Sequence, residues 1–172
     1  SGKSLRYHDP RRFGCMLFHS GNVNNHKLLK HLGPEPLGEQ FCGEFLYSKS
    51  RGRNVSIKQF IMNAQTVVGV GNIYACEALF FSGINPKRSA LKISRERYNK
   101  LAENIKIVLQ SSIEMGGTTL RDFVNEVGEP GYFKQSLMVY GREGKQCAKC
   151  DKAISRIVQT GRSTFYCSNC QR

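Results

Sequence analysis

Acidic residues are scarce in this chain. Its 172 residues hold 13 Asp and Glu against 26 Lys and Arg, a formal charge of +13 at pH 7 and a sequence pI near 9.7. That imbalance points to a polyanionic partner. Long apolar runs are also missing: Thr66 to Val70 and Ala78 to Phe81 fall far short of the roughly 20 residues a bilayer span needs, so no membrane helix is expected. Ser1 to Arg12 is polar and basic without an apolar h-region, so no secretory signal is expected in this chain and an intracellular, reducing setting is the expectation. No internal repeat, low-complexity tract, Walker motif, Ser/His/Asp or Cys/His arrangement is present, and His8, His19, His26 and His31 show no metal spacing. With 40% apolar residues and 10% aromatics, the chain has enough to build a core in one domain or two small ones, which rules out disorder as its main state.

Seven cysteines is an odd number, and four of them form two close pairs. Cys147-x2-Cys150-x16-Cys167-x2-Cys170 places four thiolates at the spacing of a tetrahedral zinc site. Four protein ligands leave no open coordination position, so the expected cofactor is one structural Zn²⁺ without a Lewis-acid role. Between the pairs, Ile154, Arg156 and Val158, then Gly161, then Ser163 and Phe165 read as two strands of a hairpin. Residues 145–172 carry six basic side chains and one acid, a charge suited to a nucleic-acid groove. Cys15, Cys42 and Cys76 are expected to be small buried hydrophobes.

Upstream, Ser1 to Phe18 reads as extended around a charged turn, His8-Asp9-Pro10-Arg11-Arg12-Phe13-Gly14. That turn fits either an ordinary surface loop with Phe13 in the core, or arginines reading base edges with Phe13 as a wedge. Short helices are expected between Asn24 and Phe60, with Leu28, Leu29 and Leu32 at helical spacing before a Gly33-Pro34-Glu35-Pro36 breaker. Gly69-Val70-Gly71-Asn72 opens a helix with Ile73, Cys76, Leu79 and Phe80 on one face. It is either a plain tight turn or, with Arg51, Arg53 and Lys58 upstream, an anion site at a helix N-terminus. Ser94 caps the longest helix, where Tyr98, Leu101, Ile105, Val108, Leu109 and Ile113 recur until Gly116-Gly117. Thr118 to Tyr140 reads as a long functional or mobile loop.

Taken together, His8 to Gly14, Leu32 to Leu37, Val67 to Ala75, Gly116 to Phe123, Pro130 to Phe133 and the cysteine module with Arg162-Ser163-Thr164-Phe165-Tyr166 resemble the formamidopyrimidine-DNA glycosylase and endonuclease VIII group of bacterial base-excision-repair enzymes. The resemblance implies an α+β chain: a mainly helical helix-two-turn-helix domain followed by a zinc β-hairpin, preceded by a remnant of a β-sandwich. The corresponding boundaries are 1–20, 21–135 and 136–172. It further implies that Lys58, Asn72 and Arg162 grip DNA phosphates, with Arg162 also assisting δ-elimination as a proton donor. Arg11 would face the base opposite the extruded one and Phe13 would wedge the gap. Thr118, Thr119, Arg121 and Tyr132 would lie in the loop that covers the flipped oxidised purine.

The sequence also departs from the family pattern. Members begin with Pro-Glu, whose proline amine attacks the sugar C1′, and this chain holds neither that pair nor the sandwich lysine, so it looks like the C-terminal part of such an enzyme. Asn63-Ala64-Gln65 replaces the usual Asp-Asn-Lys. Asn54 stands where a basic phosphate contact is common, with Arg53 as its substitute. The expected partner is double-stranded DNA bearing oxidised purines or abasic sites, bound by a monomer in the bacterial cytoplasm at the nucleoid. The fragment alone is expected to bind without catalysing. The alternative is a non-catalytic zinc-ribbon module for nucleic acid.

Overall fold

A computed structural model describes residues 2, 4–7, 9, 12–117 and 133–172, with Lys134 described in its backbone alone. The chain divides into two compact units, residues 1–31 and 32–172. Within the described part of the first unit there is one 3-10 turn, Val23–Asn25, and no strand, so the expected sandwich remnant shows no strand pairing there. Leu28 and Leu29 are exposed and outside any α-helix. A few apolar residues at helical spacing cannot offset the cost of helix nucleation without a surface to bury them on. Cys15 is exposed rather than buried.

Among its described residues the second unit holds four α-helices, α1 (Gly43–Ser50), α2 (Ile57–Ile61), α3 (Asn72–Phe81) and α4 (Arg95–Glu114), then a hairpin of β1 (Ser155–Gln159) and β2 (Arg162–Tyr166). Ser94 caps α4 by accepting from the Arg97 N–H at 3.4 Å. The helix buries Tyr98, Leu101, Ala102, Ile105, Val108 and Leu109 along one stripe, as its periodicity requires. The stripe ends a turn early: Ile113 is 62% exposed, because α4 runs past the core there. Among the described residues no helix is long and apolar enough to cross a membrane.

Helix α3 is apolar on more than the one expected face, and the structure explains why. Ala75, Ala78 and Leu79 join the main core with Phe41, Leu46, Phe60 and Tyr98. Cys76 and Phe80 instead join a second cluster with Val139, Cys147, Ile154, Phe165 and Cys167 under the hairpin. A helix clamped between two cores must be hydrophobic almost all round.

Helix α1 crosses α4 at Gly43, where a Cβ would meet the backbone N and Cα of Asn99. Cys42 is the N-cap of α1 and points outward, which is why it is exposed where burial was expected. Gly43→Ala should therefore lower stability by about 1–3 kcal/mol through overpacking, outweighing the gain of about 1 kcal/mol that alanine brings to a helix. A denaturant midpoint equal to the parent's would show that the two helices can part.

Candidate DNA-phosphate and zinc sites

Helix α2 is only five residues long and owes its place to a capping box: Ser56 Oγ accepts from the Gln59 N–H at 3.3 Å while Gln59 Oε1 accepts from the Ser56 N–H at 3.4 Å. Ile57, Phe60 and Ile61 are buried beneath it. This fixes Lys58 against the hairpin, where the residue is 2% exposed. Its Nζ donates to Thr164 Oγ1 at 2.6 Å and to the Ser163 carbonyl at 3.3 Å. Burial lowers its pKa; a nearby Cys76 thiol works against that, and the Arg162 guanidinium adds to it.

The chain then makes two turns and starts α3. Gly69 holds a φ of 75°, a left-handed conformation that a side chain would strain, and Gly71 is the N-cap without a side-chain capping bond. Asn72 follows as the first helical residue. Its Nδ2 donates to the Ser163 carbonyl at 3.0 Å and to the Tyr140 hydroxyl at 3.4 Å, while its Oδ1 is buried without a partner among the described residues. Two residues 14 positions apart, Lys58 and Asn72, thus share one carbonyl of the hairpin.

Arg162 stands just before that carbonyl. Gln159 and Arg162 pair across a two-residue turn, Thr160-Gly161, with φ of 47° and 73° at its centre, the conformation that suits a right-twisted hairpin. Arg162 is exposed. Together with Lys58, Gln59, Asn63 and Gln159 it lines a cavity of about 260 Å³ between α2 and the hairpin turn. An exposed guanidinium and a buried ammonium line that cavity, and the uncapped N-terminus of the ten-residue α3 is tied to the same hairpin carbonyl through Asn72. Such a set can hold a phosphate diester.

Arg53 and Asn54 are exposed on the connection between α1 and α2, whose backbone pairs with the 88–92 segment through Leu91 N–H to the Arg53 carbonyl at 3.1 Å. Phe13, in the other unit, is 82% exposed, so it is not a core residue there. Arg11, Thr118, Thr119, Arg121 and Tyr132 lie outside the described residues.

The four cysteine sulfurs converge to within 4.8 Å of one another. Cys147 Sγ is 3.9 Å from Cys170 Sγ, and Cys150 Sγ is 3.5 Å from Cys167 Sγ. Zn–S bonds of about 2.3 Å in a tetrahedron place sulfurs roughly 3.8 Å apart, so this donor set fits zinc. Two features turn each pair inward: the Lys149 N–H donates to Cys147 Sγ at 3.4 Å, and the Gln171 N–H to the Cys167 carbonyl at 3.1 Å. As free thiols, Cys150 and Cys170 are driven in opposite directions. Burial and the neighbouring sulfurs push Cys170 up to about 12, whereas the Lys152 N–H, ahead of the Cys170 sulfur, pulls Cys150 down to about 6. A divalent cation lets all four ionise together.

Two buried polar side chains escaped the sequence reading. Glu77, 1% exposed, accepts from three consecutive N–H groups: Met138 (2.8 Å), Val139 (3.0 Å) and Tyr140 (2.8 Å). Gln171 links the second cysteine pair to the segment after α3, with its Nε2 on the Ile84 carbonyl at 2.9 Å. The only sequence signal for Glu77 is an acid in the middle of an otherwise apolar helix.

Both modules have counterparts among known proteins. Residues 32–124 match a family model described as the formamidopyrimidine-DNA glycosylase H2TH domain, and residues 144–172 match one described as a zinc finger found in FPG and IleRS. The chain is 54% identical over all 172 residues to a formamidopyrimidine-DNA glycosylase of Syntrophotalea carbinolica, and 56% identical to one of Alcanivorax borkumensis. In both cases it spans 64% of the relative's length. Among solved structures it is similar to the MutM (Fpg) protein of Thermus thermophilus, with a TM-score of 0.87 and 38% identity over 95% of this chain and 63% of that one. It is also similar to Lactococcus lactis Fpg in complex with DNA containing an abasic site, with a TM-score of 0.77 and 32% identity over 84% of this chain and 53% of that one.

Proposed function

Because this chain belongs to the formamidopyrimidine-DNA glycosylase family, we propose that it is the DNA-gripping part of a base-excision-repair glycosylase and abasic-site lyase. The parent protein excises oxidised purines, such as formamidopyrimidine and 8-oxoguanine, from duplex DNA and nicks the product by β,δ-elimination. It works in the bacterial cytoplasm, at the nucleoid when bound. The observation that carries this reading is the convergence of Lys58 and Asn72, from the two-turn motif, on the hairpin carbonyl next to Arg162. A zinc hairpin alone would also suit a non-catalytic nucleic-acid module; its union with the two-turn motif favours the glycosylase.

In this reading Arg162, Lys58 and the N-terminus of α3 hold the phosphates beside the lesion, with Arg53 and Asn54 on the flank. Arg162 also donates a proton in δ-elimination. Arg11 faces the base opposite the extruded one, Phe13 wedges the gap, and Thr118, Thr119, Arg121 and Tyr132 belong to the loop that covers the flipped oxidised purine. The formal charge of +13 makes binding salt-sensitive, with log K falling by roughly 0.9 per phosphate neutralised on a duplex. Arg162→Ala and Asn72→Ala should each weaken duplex binding by about 1–3 kcal/mol, irrespective of sequence, because the first removes a charge-assisted donor to phosphate and the second frees the Ser163 carbonyl beside it. Titration of a fluorescent abasic-site duplex at low salt checks this, and affinities equal to the parent's would remove both residues from the footprint. Incubating the full-length gene product with the same duplex and borohydride should yield a covalent adduct; no adduct would leave only the binding module.

A further inference from the structure

Besides Gln159 Nε2 on the Pro86 carbonyl at 3.3 Å, two separated places hold the hairpin that carries Arg162. One is the Ser163 carbonyl already described. The other is the far side of the zinc module, where Gln171 is 1% exposed and uses both ends of its side-chain amide. Oε1 accepts from the Cys167 N–H at 2.8 Å, and Nε2 donates to the Ile84 carbonyl at 2.9 Å. Its main-chain carbonyl accepts from Asn85 Nδ2 at 3.3 Å. The next residue continues the junction: the Arg172 N–H donates to the Gly83 carbonyl at 3.0 Å. The Arg97 guanidinium donates to the Gly83 and Arg172 carbonyls at 2.9 and 2.6 Å. A cysteine ligand is thereby tied to the segment that leaves α3 and to the first turn of α4.

This junction does something that neither zinc nor the apolar seat can do. Zinc fixes the shape of the module but not its angle on the helices. The seat, formed by Cys76 and Phe80 against Ile154 and Phe165, is a hydrophobic contact without strong direction. A hydrogen-bonded amide with one end on the module and the other on the helical core sets the angle, because each bond tolerates only a narrow geometry. Strand β2, five residues long, transmits that angle from Cys167 to Arg162.

We propose that Gln171 is a positioning residue for the phosphate contact of Arg162: it touches no ligand and sets the pose of the hairpin against the helical domain. This rests on the DNA-binding reading above. The test compares the parent chain with Gln171→Met, Arg162→Ala and the double variant, measuring zinc content and affinity for an abasic-site duplex at low salt. Methionine fills the volume and makes neither hydrogen bond. Gln171→Met should keep one zinc per chain and bind about five- to tenfold more weakly, the loss expected of about one net hydrogen bond. In the Arg162→Ala background the same change should have little further effect, because the group it positions is gone. Should Gln171→Met shed its zinc, Gln171→Asn, with the same amide one methylene shorter, is measured in its place. Unchanged affinity, a loss that simply adds to that of Arg162→Ala, or zinc loss in both variants would overturn the proposal. A parent chain that binds no duplex overturns both readings; a parent that binds alongside an unaffected Gln171→Met overturns this one alone.

Discussion

Removing zinc with a strong chelator, or replacing one ligand as in Cys147→Ser, should unfold residues 144–172 and leave α1 to α4 folded. Two five-residue strands that, among the described residues, pair only with each other are marginal in water. Their apolar support is a small cluster in which Cys147 and Cys167 are themselves members. Structural zinc supplies about 10–16 kcal/mol in small zinc modules, more than any other contact the hairpin makes. The main core draws on no cysteine ligand, so it stands without the metal. Far-UV circular dichroism should keep its helical signal while the hairpin amides lose their protection from exchange, and duplex affinity should fall as Arg162 loses its place. Acid should have the same effect, since thiolates must be deprotonated to bind metal and zinc is released as the pH falls. A hairpin that keeps its protection after zinc is gone would refute the assignment of the metal as structural.

The zinc module could be read from the sequence because its determinants are local. Each ligand pair sits within four residues, and the Thr160-Gly161 turn sits where its strands require it. The same holds for α4, whose cap, stripe and stop are all near neighbours in the chain. What could not be read is the pairing of remote segments. Lys58 looks like part of a solvated basic run, yet its ammonium is buried on residues 105 and 106 positions away. Leu28 and Leu29 have a helical spacing and are nonetheless exposed and outside any α-helix. Cys42 has the composition of a core residue and the position of a helix cap. For Lys58 the deciding partner lies far beyond the window in which periodicity operates. The candidate site lies at such a junction, with one half on the two-turn motif and the other on the hairpin. Its halves were legible singly, and their meeting at the Ser163 carbonyl was not.

The same reasoning makes Glu77 the most consequential polar residue outside the zinc site. Its carboxylate, near the middle of α3, takes three successive backbone N–H groups from residues 138–140, which lead from the helical core into the hairpin. Burial pushes its pKa upward, and the three N–H donors, with Arg142 behind them, pull it back. Val139, the middle donor, is fully buried and out of reach of water. Glu77→Ala would leave these N–H groups orphaned and open a cavity, so it should cost roughly 3–5 kcal/mol. Glu77→Gln should cost about half of that, because the amide retains one acceptor oxygen and turns an NH₂ against a donor. Tyr140, whose ring packs on Phe165 at 4.9 Å and whose hydroxyl accepts from Asn72, should move with the segment. Denaturant midpoints would measure the loss, and hydrogen exchange at residues 138–140 would locate it. If Glu77→Gln is as stable as the parent and those amides stay protected, the charge on the carboxylate contributes nothing and packing alone holds the segment.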